Sequence, residues 1–190
     1  MKKAMLILSV VALLVAAAMN TSFADTSGCA VADVYVIVDP NITVGANTPI
    51  VSAGTVQTGD FSALINFRID ANKESVCIYV EASPLYKGND PSNNEVLPIP
   101  LNLSEGVVID PANANPFAAG SNVASYIGAG DPIDGFPTQR TETICFESSQ
   151  NGHFSQDVLV TVVWNQNDPE KPMGQYSGKV RMCAMLLPNG

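Results

Sequence analysis

The sequence predicts an all-β protein: an Ig-like Greek-key β-sandwich of about seven to nine strands, following a cleaved signal peptide. Two observations carry that expectation. Beyond residue 24 the apolar residues repeat at period two, the spacing that puts alternate side chains on one face of a strand. Gly, Pro and Asn also interrupt every stretch before a helix of useful length can form, and turn residues separate the short alternating runs, as a sandwich requires. A barrel is the alternative architecture.

The chain opens with Lys2 and Lys3, carries no charge over 4–24, and reaches Ser22, Phe23 and Ala24, a small-x-small triplet. That is the anatomy of a secretory signal peptide, residues 1–24. Its apolar stretch over 5–19 is shorter than the roughly 20 residues that cross a bilayer, and polar Asn20, Thr21 and Ser22 follow directly, so no retained anchor is expected. A lipoprotein signal is set aside too, because Thr26, Ser27 and Gly28 precede Cys29 where a Leu-like residue is needed. Residues 25–190 are long enough for one domain with its own core. Without Lys2 and Lys3, 7 basic residues face 18 acidic ones, a formal charge of −11. Such a surface repels nucleic acid and anionic lipid, so no nucleic-acid partner and no stable membrane insertion are expected. The expected location is the extracellular space or cell surface, reached through the periplasm.

Taken in order, residues 30–38 alternate, with Ala32, Val34, Val36 and Val38 on one face and Val31, Asp33, Tyr35 and Ile37 on the other, and stop at Asp39 and Pro40. Residues 61–70 form the clearest half-buried strand, with Phe61, Ala63, Ile65, Phe67 and Ile69 inward. Ala71, Asn72 and Lys73 turn the chain into residues 76–82, its expected hairpin partner, with Val76, Ile78, Val80 and Ala82 inward and Cys77, Tyr79 and Glu81 outward. Leu97, Ile99, Leu101 and Leu103 alternate as well, but Pro98 and Pro100 lack the N–H a ladder needs, which places the segment on an edge. Residues 110–138, rich in Pro, Gly, Ala and Asn, read as a long surface excursion. Strands resume over 141–147, 157–164 and 176–187. In the second of these, Val158, Val160, Val162 and Trp164 share one face while Leu159 and Val163 share the other, so it is apolar on both sides and central. Trp164 is expected to be at least partly buried.

Cys29, Cys77, Cys145 and Cys183 are an even set in an exported chain, which reads as two disulfides. No pair has the close spacing of a metal knuckle, and His153 is the only histidine, so no metal site is expected. Each cysteine falls on the face opposite the main apolar set, which puts the bridges on outer faces or near strand ends. With strands running alternately up and down in sandwich order, Cys29 and Cys77 fall at one end and Cys145 and Cys183 at the other. That is the expected pairing among three connectivities.

No catalytic constellation is legible. The chain has no Gly-rich phosphate loop opening a helix, no His-Glu-x-x-His pair and no Gly-x-Ser-x-Gly turn. His153 follows Gln150, Asn151 and Gly152, a polar turn signal, and reads as a solvated loop residue. The 18 acidic residues are scattered through loops, and no glycosidase-like pair is evident among them. Residues 89–95 and 130–135 collect Asp and Asn side chains of the kind that ligate calcium, but neither has the spacing of a calcium loop, and strand-terminating turns explain them. Neither an enzyme activity nor a cofactor is expected. Asn41-Ile42-Thr43 and Asn102-Leu103-Ser104 fit the glycosylation acceptor pattern.

The Lys-Lys signal peptide, the alternating first strand, the all-β body and the closing Gly174-Gln175-Tyr176-Ser177-Gly178-Lys179-Val180 run together resemble bacterial fimbrial and spore-coat-U-like surface fibre subunits. Gly54-Thr55-Val56 is similar to the early segment before the second strand of those families. Two features depart from the pattern: four cysteines where classical fimbrial subunits commonly have one bridge, and residues 110–138, which have no counterpart. The resemblance implies a structural subunit of an extracellular filament, fimbria or coat. Its implied partners are copies of itself in a homopolymer, with an assembly chaperone and an outer-membrane usher. Donor-strand fibres join by adding a strand to a neighbour, and Ala32, Val34, Val36 and Val38 supply a row for that purpose. The same segment also reads as the first strand of a self-contained sandwich. The alternative function is a monomeric secreted or periplasmic binding or adhesion module, distinguished from a filament by staying monodisperse and retaining a ligand.

Overall fold

The computed structural model describes residues 36, 38–117 and 121–187. The chain divides into two units, Met1–Val38 and Asp39–Gly190. The second unit is all-β among the described residues and consists of two facing antiparallel sheets with a small two-stranded ribbon. One sheet contains β1 (Ile42–Ala46), β2 (Gly59–Ala71), β11 (Phe154–Gln166), β5 (Val107–Pro111) and β7 (Val123–Ala124), side by side in that order. The other is built on β3 (Ser75–Ala82). One edge of β3 carries β13 (Val180–Leu186). Its other edge is shared by β10 (Ile144–Ser148) along the first half and β9 (Gln139–Thr141) along the second, with β6 (Ala114–Pro116) and β8 (Tyr126–Ala129) outside them. The ribbon pairs β4 (Tyr86–Lys87) with β12 (Tyr176–Ser177).

Period two builds the core. In β11 strict alternation buries Val158, Val160, Val162 and Trp164, and the strand lies between β2 and β5, as its two apolar faces predict. Ile65, Phe67 and Ile69 of β2 continue the layer, against Val76, Ile78 and Val80 of β3 and Phe146 of β10. Trp164 is 2% exposed. Leu97 and Leu103 are exposed, whereas Ile99 and Leu101 are buried and form single bridges with Leu85 and Trp164, the sparse pairing that Pro98 and Pro100 allow.

Four expectations are corrected. Residues 61–70 and 76–82 are not hairpin partners, because β2 pairs along its whole length with β11 and the turn after Ala71 carries the chain across to the other sheet. Burial shows why: β3 is covered on both faces, Cys77 and Glu81 included, and that is the mark of a central strand. Residues 110–138 are not simply a surface excursion, since they supply β6, β7 and β8 at the sheet edges. The strands number thirteen among the described residues, because several are pieces of two to four residues between irregularities.

The disulfide pairing is the fourth correction. Cys77 is bonded to Cys145, not to Cys29, and Cys145 is therefore not bonded to Cys183. The Greek-key crossover makes β3 and β10 neighbours despite 68 intervening residues, and their register sets Cys77 directly opposite Cys145, with Cα atoms 3.9 Å apart. Cys183 carries no bond among the described residues and is half-buried. Cys29 lies outside the described residues, as do Ala32 and Val34.

Candidate functional site

β1 pairs only with the last part of β2, from Ile42 opposite Ala71 to Ala46 opposite Phe67. Residues 47–58 then run without regular structure, so the outer edge of β2 over 59–65 has no strand beside it. Across the sandwich, β13 pairs with β3 alone, and its other edge is likewise open among the described residues. Between these two edges lies a groove of about 1230 Å³. Phe61, Ala63, Ile65 and Trp164 line it from one sheet, Tyr176 and Val180 from the other, Leu85 and Ile99 from between them, and the chain's own irregular segment 48–58 runs along it, with Val51 packed against the core.

The floor is rigidly held. The Trp164 indole N–H donates to the Ser83 carbonyl at 3.0 Å, and its ring stacks on Phe61 with centroids 6.1 Å apart. Pro84 interrupts the ladder here. The Ser83 N–H donates to the Lys179 carbonyl and the Ser83 hydroxyl accepts from the Lys179 N–H, which keeps the wall in line where the regular pairing of β13 stops. Gly178 is required at that crossing, because a Cβ on it would lie 2.7 Å from the Pro84 carbonyl oxygen.

The wall at residues 174–183 alternates. Tyr176, Val180 and Met182 pack toward the core, while Lys179, Arg181 and Cys183 face outward. Gly88 donates to the Gln175 carbonyl and Ser83 to the Lys179 carbonyl, so odd-numbered residues spend their main-chain groups inside the sandwich. The even-numbered ones, Tyr176, Gly178, Val180 and Met182, turn theirs toward the open edge. Outside the wall, Glu81 is buried, paired with Arg181 through Nε–H donating at 2.7 Å, and accepts from the Asp131 N–H at 3.1 Å. Tyr79 lies opposite Cys183, and hydrogen bonding with the Cys183 sulfur, then burial, raises the Tyr79 phenol above its ordinary value.

The chain enters this unit at the other end of the sandwich. Asn72, in the turn after β2, donates from Nδ2 to the Asp39 carbonyl at 2.8 Å and accepts from the Asn41 N–H at 2.6 Å. Just before that anchor, Val36 and Val38 are 84% and 72% exposed. Of the four residues of the proposed row these two are described, and both are exposed apolar side chains.

The remaining candidates resolve into turns. His153 is exposed beside the Asn151 carbonyl. Asp90 accepts from both the N–H and the hydroxyl of Ser92, which lowers its carboxyl below the ordinary value, and Asn93 accepts from the Glu95 N–H. Among the described residues no three metal-ligating side chains converge. No helix there is long and apolar enough to cross a membrane, and the Cys77–Cys145 disulfide is compatible with an oxidising compartment outside the cytoplasm. The alternating patterns of residues 61–70 and 176–187 identify each wall of the groove, but the gap between them has no sequence signature, because it consists of ladder partners that are missing. No family model matches the chain, and no curated protein matches it.

Proposed function

We propose that the protein is a structural subunit of an extracellular filament or coat, in which the segment 30–38 of one copy fills the groove of the next. The observation that carries this reading is the pair of open strand edges flanking a groove of mixed polar and apolar lining at one end of the sandwich, while the chain enters at the other end at Asp39, just after exposed Val36 and Val38. An extended donor supplies what the groove lacks: main-chain partners for an open edge and a row of alternate apolar side chains for the space between the sheets. Burying a valine contributes roughly 1.5–3 kcal/mol, so three valines and an alanine give the joint substantial driving force. Head-to-tail insertion is a heterologous contact, which yields an open fibre wherever the rotation between successive copies does not close a ring.

The experiment is electron microscopy of the mature protein beside Val36→Asp. Wild type is expected to form filaments. The variant is expected to form none, because insertion buries an unpaired carboxylate. Wild-type filaments from Val36→Asp exclude this segment as the joint, and a monodisperse wild type that retains a ligand favours a binding module instead.

A further inference from the structure

Resting on that reading, we infer that Pro49 reserves the open edge of β2 for a strand of a second copy, by barring the chain's own residues 48–54 from completing the hairpin of β1 and β2 there. Register, hydrogen-bond phase and the path of the barred segment all point to it.

Register shows what the proline interrupts. β1 runs antiparallel to β2 from Ile42 opposite Ala71 to Ala46 opposite Phe67, and beyond it the Asn47 N–H still donates to the Asn66 carbonyl at 3.0 Å. Continued unchanged, the same ladder sets Ile50 opposite Ala63, Ser52 opposite Phe61 and Gly54 opposite Gly59. Residues 55–58 then close the hairpin as a short loop of common length. The glycines that flank this loop already hold positive φ, 83° at Gly54 and 104° at Gly59. Ile50 and Val51 are β-branched and suit a strand, and Ile50 would join the inward row against the small Ala63.

Phase identifies the obstacle. Asn47 with Asn66 is a hydrogen-bonded pair, so the pairs at steps of two are hydrogen-bonded as well: Pro49 with Leu64, Val51 with Ser62 and Ala53 with Asp60. In that ladder the Pro49 nitrogen turns toward β2. An edge strand accepts a proline whose nitrogen faces solvent, but here the nitrogen faces the partner strand. It has no N–H for the Leu64 carbonyl, and its ring takes the space of the hydrogen bond.

The path of the segment follows. The chain bends at Pro49 and Ile50 and leaves the ladder. Ile50 is 87% exposed, and Val51 packs against the core in its place, one residue out of the phase of β1. Asp60, Ser62 and Leu64, whose main-chain groups face this side, are left without a strand beside them, and the Leu64 side chain is 56% exposed.

The occupant this edge fits is an extended strand, which pairs with those main-chain groups and lays alternate side chains over Phe61, Ala63 and Ile65. Within one chain the natural strand for the position is 48–54, which Pro49 bars. The chain's own entry point, Asp39, is held by Asn72 at the Ala71 end of β2, roughly 23 Å from Leu64 at about 3.3 Å per residue. The strand therefore comes from a second copy.

The test is hydrogen–deuterium exchange of the mature protein, read on peptides spanning 59–65 before and after assembly. In wild type, the Ser62 and Leu64 amides are expected to exchange rapidly in the subunit and roughly tenfold or more slower in the filament. Equal rates place the partner elsewhere and overturn the inference while leaving strand exchange standing, and this comparison needs no variant to fold. Pro49→Val, which restores the N–H, is expected to slow the same amides in the unassembled subunit and to cut filament yield by about tenfold as the chain closes its own edge. Adding Val51→Pro to Pro49→Val, which moves the proline to the next hydrogen-bonded position, is expected to restore fast exchange at Ser62 and assembly. Unchanged exchange in folded Pro49→Val, or slowed exchange with wild-type filament yield, contradicts the inference. If wild type forms no filaments under any condition, strand exchange itself fails, and the reservation for a second copy falls with it.

Discussion

Trp164 is the residue on which the groove depends most. Its indole is buried, hydrogen-bonded to Ser83 and stacked on Phe61, so it joins the central strand to the break beside Pro84. Trp164→Ala is expected to cost about 3–5 kcal/mol, read as a lowered urea midpoint with an unchanged slope. A cost below about 1 kcal/mol contradicts the enclosed position. On the outer face of the other sheet end, Arg68 donates to Asp70 at 2.8 Å, and Ser155 also donates to that carboxylate. The Arg68 hydrogen bond, then that of Ser155, holds the Asp70 carboxyl below its ordinary 3.8. The folded state therefore prefers the ionised form. The associated stability is fully present above about pH 4 and is lost as pH falls through the depressed folded value. NMR titration should place the Asp70 midpoint below that of a free aspartate, and Arg68→Met should raise it; an unchanged midpoint in the variant removes Arg68 as the cause. At this scale the sequence was only partly readable. The alternation around Trp164 indicates burial, but nothing near residue 164 indicates that Ser83 accepts its N–H, because that contact joins strands 81 residues apart.

Among the elements, β2 and β11 are the most legible, since each alternates over a full 13-residue strand that needs no special turn to define it. The less legible elements are short and depend on their neighbours. β6, β7 and β8 have two to four residues each, among prolines and glycines, and exist because long central strands offer them edges to pair with. Local pattern also misassigns the partner of β3. A short turn after an alternating strand usually makes a hairpin, whereas here the inward faces of β2 and β3 both pack into the core from opposite sides, so the turn crosses the sandwich. That crossover also explains the cysteine result: the outward placement of Cys77, Cys145 and Cys183 follows from period two, but their pairing follows from which strands are neighbours. Periodicity fixes a residue's face, and only topology fixes its partner.

For the whole molecule, the central question is whether the sandwich of residues 39–187 is complete without the segment before it. The described unit has its own core, its own disulfide and an anchor at Asn72 that holds Asp39, and the groove is bordered by the open edge of β2 and by the start of β13 at Val180. Strand exchange requires this unit to fold without residues 29–38, whereas a self-contained sandwich that begins with that segment requires the segment for stability. Deleting residues 29–38 from the mature chain separates the two, with circular dichroism and urea unfolding reporting the fold and electron microscopy reporting assembly. Strand exchange predicts a cooperatively folded, β-rich subunit that forms no filaments; an unfolded deletion variant, or a folded one that still assembles like wild type, contradicts it.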